Sequence, residues 1–154
     1  MIDISQALLQ EQIVTVGKLF VEYAQTIGVS LCFENLDKEV FELPGSYAPP
    51  CGRLLLAADG ARIAGCVALK KIDDHTCEMK RLYVRAEFRG QSLGKRLAIR
   101  IEDEARQIGY RQLRLDTLPS MKEAIALYRS LGFEEIPAYR ELPVPGALFM
   151  QVKL

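Results

Sequence analysis

A chain of 154 residues, 49% of them hydrophobic, is long enough for one continuous core and too short for two comfortable ones. Its 20 basic and 20 acidic side chains cancel, which excludes a general electrostatic attraction to nucleic acid. No apolar run approaches the roughly 18 residues needed to cross a bilayer, and Cys32, Cys51, Cys66 and Cys77, without CxxC spacing and beside a lone His75, make a poor zinc or disulfide framework.

Residues 2–4 read as a short first strand. Ile13, Val16, Leu19, Phe20, Tyr23 and Ile27 recur at helical spacing over residues 11–27, and Gly28 stands where a left-handed cap closes a helix. A second helix is predicted over residues 33–43, carrying Glu34, Asp37, Glu39 and Glu42 and stopped by Pro44-Gly45. Residues 47–52 hold two prolines and read as an ordered loop. The period then changes to two. Residues 54–58 and 61–71 flank Asp59-Gly60, a hairpin signal because this pair accommodates the positive φ angles of a primed turn. Asp73-Asp74-His75 turns the chain into a third antiparallel strand over residues 76–84.

Residues 93–108 form an amphipathic helix with Leu93, Leu97, Ile101, Ala105 and Ile108 on one face and Gly109 at its end. A strand follows at residues 111–117. Strand, helix and strand over this length require a crossover, so the strands at 76–84 and 111–117 are expected to be parallel neighbours. Ser120 and Glu123 have the spacing of a capping box for a helix that buries Ala124, Leu127 and Leu131 and ends at Gly132. Residues 133–136 and 147–154 supply two last strands around Pro143-Val144-Pro145-Gly146. The expected fold class is α/β, with a mixed, mostly antiparallel sheet containing one parallel pair.

Chemistry concentrates after the third strand. Lys80, Arg81, Arg85, Arg89, Lys95, Arg96 and Arg100 cluster with Glu87 as their only acidic neighbour in that stretch. Here a strand enters a loop containing Gly90, and a long helix starts at once with Gly94 in its first turn. Helix N-termini present unpaired N–H groups and a partial positive charge, so this arrangement suits a phosphate. Glycine lets the main chain approach such an anion closely. The P-loop pattern and the GxGxxG fingerprint are both absent.

Arg89-Gly90-Gln91-Ser92-Leu93-Gly94 resembles the Gln/Arg-x-x-Gly-x-Gly/Ala motif of the GNAT superfamily of N-acetyltransferases, with Ser92 in place of the first glycine. Glu78-Met79-Lys80-Arg81-Leu82-Tyr83-Val84 is similar to the strand before that motif. Ala124-Ile125-Ala126-Leu127-Tyr128-Arg129-Ser130-Leu131-Gly132-Phe133 is similar to the later helix and the strand after it. The resemblance covers residues 54–136 in the family's order. It implies one domain over residues 1–154, helices on both faces of the sheet, and a parallel pair splayed to hold acetyl-coenzyme A. Leu82, Tyr83 and Val84 are then expected beside the pantetheine arm, and Arg89, Gly90, Gln91, Ser92, Leu93, Gly94 and Lys95 around the pyrophosphate.

The activity implied is acetyl transfer to a primary amine of a small molecule or peptide, by direct attack in a ternary complex. A backbone N–H near Val84 would meet the oxyanion. Tyr128 takes the place of the general acid toward the coenzyme A sulfur, and Glu78 that of a base for the amine. Read without the family, Tyr128 is a core tyrosine and Glu78 an exposed strand glutamate paired with Lys80 or Lys70. Met121 stands where many relatives carry an asparagine that helps hold the cofactor. The acidic second helix favours a cationic acceptor, whereas Arg140 favours one bearing a carboxylate. A non-catalytic coenzyme A-binding regulatory domain is the alternative reading. The chain is expected to be cytoplasmic and metal-free, with no nucleic-acid or membrane partner, and strand 147–154 offers an edge for a homodimer.

Overall fold

The computed structural model describes residues 1–28, 35–142 and 144–154. Strands β1 (Asp3–Gln6), β2 (Arg53–Asp59), β3 (Arg62–Lys71), β4 (Thr76–Val84), β5 (Gln112–Thr117), β6 (Glu134–Ile136) and β7 (Leu148–Lys153) form one sheet in the order β1-β2-β3-β4-β5-β7-β6. Among the described residues, only β4 and β5 run parallel. The helices are α1 (Gln10–Ile27), α2 (Leu36–Phe41), α3 (Leu93–Ile108) and α4 (Lys122–Ser130).

Alternation along β2 sends successive side chains to opposite cores. Leu55 and Ala57 pack with Leu97, Ile101 and Tyr128 from α3 and α4, whereas Leu54 and Leu56 pack with Val16, Leu19 and Phe20 of α1. The sheet is thus covered on both faces, and each fully buried leucine contributes about 1.5–3 kcal/mol. Among the described residues, no helix is long and apolar enough to cross a membrane.

Local details depart from the sequence reading in four places. α2 spans only Leu36–Phe41, because a residue before proline is driven out of the helical region and Leu43 precedes Pro44; Phe33 and Glu34 lie outside the described residues. Asp59 pairs with Arg62, so the hairpin loop is Gly60-Ala61 and only Gly60 takes a positive φ, of 60°. The N-cap of α4 is Met121 with no side-chain cap bond, so the Ser120–Glu123 capping box does not form. Finally, β7 lies between β5 and β6, so its residues Phe149, Met150 and Gln151, paired on both sides, offer no edge to a second copy.

One irregularity in β4 positions the site. Cys66 opposes Tyr83 and Ala68 opposes Lys80, so Arg81 and Leu82 together face the single residue Val67. Arg81 accepts a φ of 58° to fit this bulge, and bulges bend and twist a strand. Gly65 permits the close approach, since a Cβ there would sit 2.3 Å from the Tyr83 carbonyl oxygen. On its other side β4 pairs with β5 only through Thr76, Cys77 and Glu78, opposite Gln112, Leu113 and Arg114. Beyond Glu78 the two strands diverge while β5 keeps its ladder to β7. The splay implied by the sequence is therefore present, and a cleft opens there.

Candidate active site

Two cavities adjoin along the splay. The outer one, about 440 Å³, is bounded by Leu82, Tyr83 and Val84 of β4, the loop before α3, and Ala124 and Leu127 of α4. The inner one, about 340 Å³, reaches Leu115 and Asp116 of β5, Tyr128 of α4 and Arg140. Tyr23, Ile27, Leu82 and Met121 line both, so the two spaces meet at these side chains.

The outer cavity ends at the start of α3. The first intrahelical bond recorded there runs from Arg96 N to the Ser92 carbonyl at 3.1 Å, so the amides of Leu93, Gly94 and Lys95 precede the helix ladder. Ser92 holds a φ of 60°, the left-handed conformation that glycine adopts at least cost. The serine departure from the glycine motif therefore keeps the glycine-like backbone. Gly90 is also left-handed, at φ 80°. Of the residues expected around the cofactor, Leu82, Tyr83, Val84, Arg89, Gly90, Ser92, Leu93 and Gly94 line this cavity; Gln91 and Lys95 are exposed and do not.

The basic cluster does not converge on an anion. Arg81 pairs with Glu39 at 3.0 Å and Arg85 with Glu22 at 2.6 Å, while Arg96 and Arg100 donate to the carbonyls of Ile2 and Ile4. Fold contacts thus absorb charges that are adjacent only in sequence. Arg89 stays at the cavity, its Nε donating to the Val84 carbonyl at 3.2 Å.

Glu78 is not the exposed strand glutamate of the simplest reading. Its side chain is 0% exposed and lines neither cavity. Tyr139 donates its hydroxyl to Glu78 Oε2, and Arg140 lies 2.9 Å from the same oxygen. Lys80 and Lys70 stand 3.7 and 3.8 Å from Oε1. Burial alone would raise the Glu78 carboxyl, but Lys80, the Tyr139 hydrogen bond and Arg140 outweigh it and hold it below its ordinary value. Arg140 also bonds Asp116, which lies 3.7 Å from Lys80. Burial pushes Lys80 down to about 8; Glu78 opposes that shift, and Arg140, Arg81 and Lys70 add to it.

Tyr128 is buried against Phe133, ring centroids 5.8 Å apart, yet it lines the inner cavity. Burial pushes its phenol well above the ordinary range, with a smaller push from Tyr23. The core and site readings of Tyr128 thus describe one placement. Met121 Sδ accepts from Tyr23 at 3.9 Å and from Thr117 at 3.8 Å, tying α1, β5 and α4 together at the junction of the cavities. Sequence reasoning did not find Tyr23, Lys80 or Asp116 as site residues, because only the chain's long-range path brings them together. Among the described acidic residues of the second helix, Glu39 alone lines the inner cavity; it is neutralised by Arg81 and accepts from Tyr47 at 2.7 Å, while Asp37 and Glu42 are exposed elsewhere. Among the described residues no His, Cys, Asp and Glu side chains gather into a group that could hold a metal.

The Acetyltransferase (GNAT) family matches residues 20–133. An uncharacterized N-acetyltransferase of Schizosaccharomyces pombe is 37% identical, over 99% of this chain and 95% of that protein. An acetyltransferase from Streptococcus agalactiae shares the fold with a TM-score of 0.81 at 22% identity, over 99% of this chain and 98% of that one. The PaiA N-acetyltransferase from Thermoplasma acidophilum, solved in complex with coenzyme A, does so with a TM-score of 0.77 at 21% identity, over 100% and 99% of the two chains. Fold, cleft and sequence agree: the chain belongs to the GNAT family and is an N-acetyltransferase.

Proposed function

We propose that residues 1–154 act as one domain that transfers an acetyl group from acetyl-coenzyme A to a primary amine, by direct attack within a ternary complex. The observation that carries this reading is the end of β4–β5 pairing at Glu78, with one cavity of the resulting cleft running to the amides that begin α3. The main chain of residues 82–84 has no β5 partner and offers an extended edge to the pantetheine arm, as a strand would. Amides from residues 89–95 take the pyrophosphate. The coenzyme A held by the PaiA relative, which has the same fold, supports this assignment.

The acceptor amine enters the inner cavity. An alkyl amine has a pKa of about 10, so it must shed a proton before it attacks the thioester. Glu78 lines neither cavity and is held ionised by Lys80, Tyr139 and Arg140. We therefore assign it a positioning role, holding Lys80 and Arg140 at the wall, and assign proton removal to water in the cavity. A backbone N–H near Val84 meets the oxyanion. Tyr128, which burial keeps protonated, donates to the departing coenzyme A thiolate as the tetrahedral intermediate collapses.

The test is a calorimetric titration with acetyl-coenzyme A beside ATP and 3′,5′-ADP, followed by thiol release with an amine panel. Acetyl-coenzyme A should bind clearly more tightly than either control. Tyr128→Phe should lower kcat about a hundred-fold and leave acetyl-coenzyme A affinity unchanged. Equal binding of all three ligands would overturn the pantetheine slot, and an unchanged kcat would remove Tyr128 from the mechanism.

A further inference from the structure

Charge on the wall of the inner cavity identifies a class of acceptor. Lys70, Lys80, Arg81 and Arg140 line it against Glu39 and Asp116. Glu78, buried behind the wall, adds a third negative charge, so among the described residues four cations face three anions. Each anion is already committed. Glu39 serves Arg81, Asp116 serves Arg140 and Lys80, and Glu78 is shared among Arg140, Lys80 and Lys70.

Lys80 is the least satisfied of these groups. An ammonium carries three donors, yet its Nζ comes no nearer than 3.7 Å to either Glu78 or Asp116, beyond hydrogen-bond range. Its side chain is only 16% exposed, so bulk water solvates it poorly. Lys70, at the rim, stands no closer than 3.8 Å to Glu78. A cationic acceptor entering this space would meet a surplus of like charge, and a neutral one would leave the lysine donors unpaired. A single carboxylate supplies the missing acceptors and cancels a surplus of one charge, whereas a phosphate dianion would overshoot it.

We propose that the acceptor is an amine carrying a carboxylate, its carboxylate held by Lys80 with Lys70 at the rim and its amine turned toward Leu82 and Tyr128. This deepens the acetyl-transfer reading and rests on it. The measurement is thiol release from acetyl-coenzyme A with L-alanine, L-leucine, L-methionine and β-alanine, each beside its own carboxamide, together with O-phosphoethanolamine and spermidine.

At least one free acid should exceed its carboxamide in kcat/KM by about ten-fold, the order of one charged hydrogen bond in a partly buried site. Lys80→Met should bring that ratio close to one. Lys70→Met, at the more exposed rim, should lower it in the same direction and keeps the test open if Lys80→Met fails to fold. Preference for the carboxamides, the phosphate or spermidine would overturn the inference and leave acetyl transfer standing. A ratio unmoved in both variants would overturn the lysine assignment. Thiol release with none of these amines, but with other primary amines, would overturn this inference and leave acetyl transfer standing; release with no primary amine at all, while acetyl-coenzyme A still binds, would overturn both.

Discussion

Replacing Glu78 by glutamine removes one negative charge from a wholly buried position and leaves nearly the same shape. The glutamine oxygen can still accept from Arg140, but Lys80, Lys70 and Arg140 lose the anion they share. Breaking a buried ion pair typically costs about 3–5 kcal/mol; Asp116 stays beside Arg140 and Lys80, which places this case near 3 kcal/mol. For a chain of this length each kcal/mol moves Tm by about 2–4 °C, so Glu78→Gln should melt about 6–12 °C below the parent at neutral pH. The pH dependence has a definite sign. Because the folded carboxyl is held below its ordinary value of 4.5, its stabilisation is complete above that pH and is lost as pH falls through the folded pKa. The gap between parent and variant should therefore narrow in acid. Thermal unfolding followed by circular dichroism at both pH values reads this directly. An unchanged Tm, or a gap that persists in acid, would refute the buried ion-pair account. An unchanged Tm with kcat lowered a hundred-fold or more would restore Glu78 as the general base.

Gly65→Ala places a Cβ 2.3 Å from the Tyr83 carbonyl oxygen, a contact that only backbone movement can relieve. It should cost about 1–3 kcal/mol and, because β4 borders the cleft, weaken acetyl-coenzyme A binding in calorimetry; a destabilised protein with unchanged affinity would uncouple the bulge from the cofactor edge. The preference for a free carboxylate over its carboxamide should decline as pH rises through about 8, where Lys80 loses its proton. Glu78 and Asp116 face that ammonium with Arg140, Arg81 and Lys70, Tyr139 contacts Glu78, and Glu39 holds Arg81. A ratio of kcat/KM values that stays flat through that range would show that Lys80 does not carry the preference.

Much of the fold was legible from local pattern. Helical spacing set α3 at Leu93–Ile108, a period of two set the three antiparallel strands, and Gly28 and Gly109 close their helices in the left-handed conformation. The motif at residues 89–94 located the loop that opens the cleft, because a tight turn into a helix needs particular residues at fixed offsets. Ser92 was visible as a departure, and its backbone angle shows why the departure is tolerated.

What local pattern does not encode is which distant side chains share a space. Glu78 has ordinary neighbours in sequence, but its burial depends on Tyr139 and Arg140 arriving from beyond β6. Lys80 belongs by sequence to a basic run, while in space it faces Asp116 across the splay. Arg81, Arg85, Arg96 and Arg100 of that run are drawn off by Glu39 and Glu22 and by carbonyls at the start of the chain. The sequence alone determined the family, the order of elements and the loop at α3, because those depend on residues within a few positions of one another. Tertiary structure decided which charged groups share the inner cavity, because burial and ion pairing act over ångströms between groups that lie tens of residues apart.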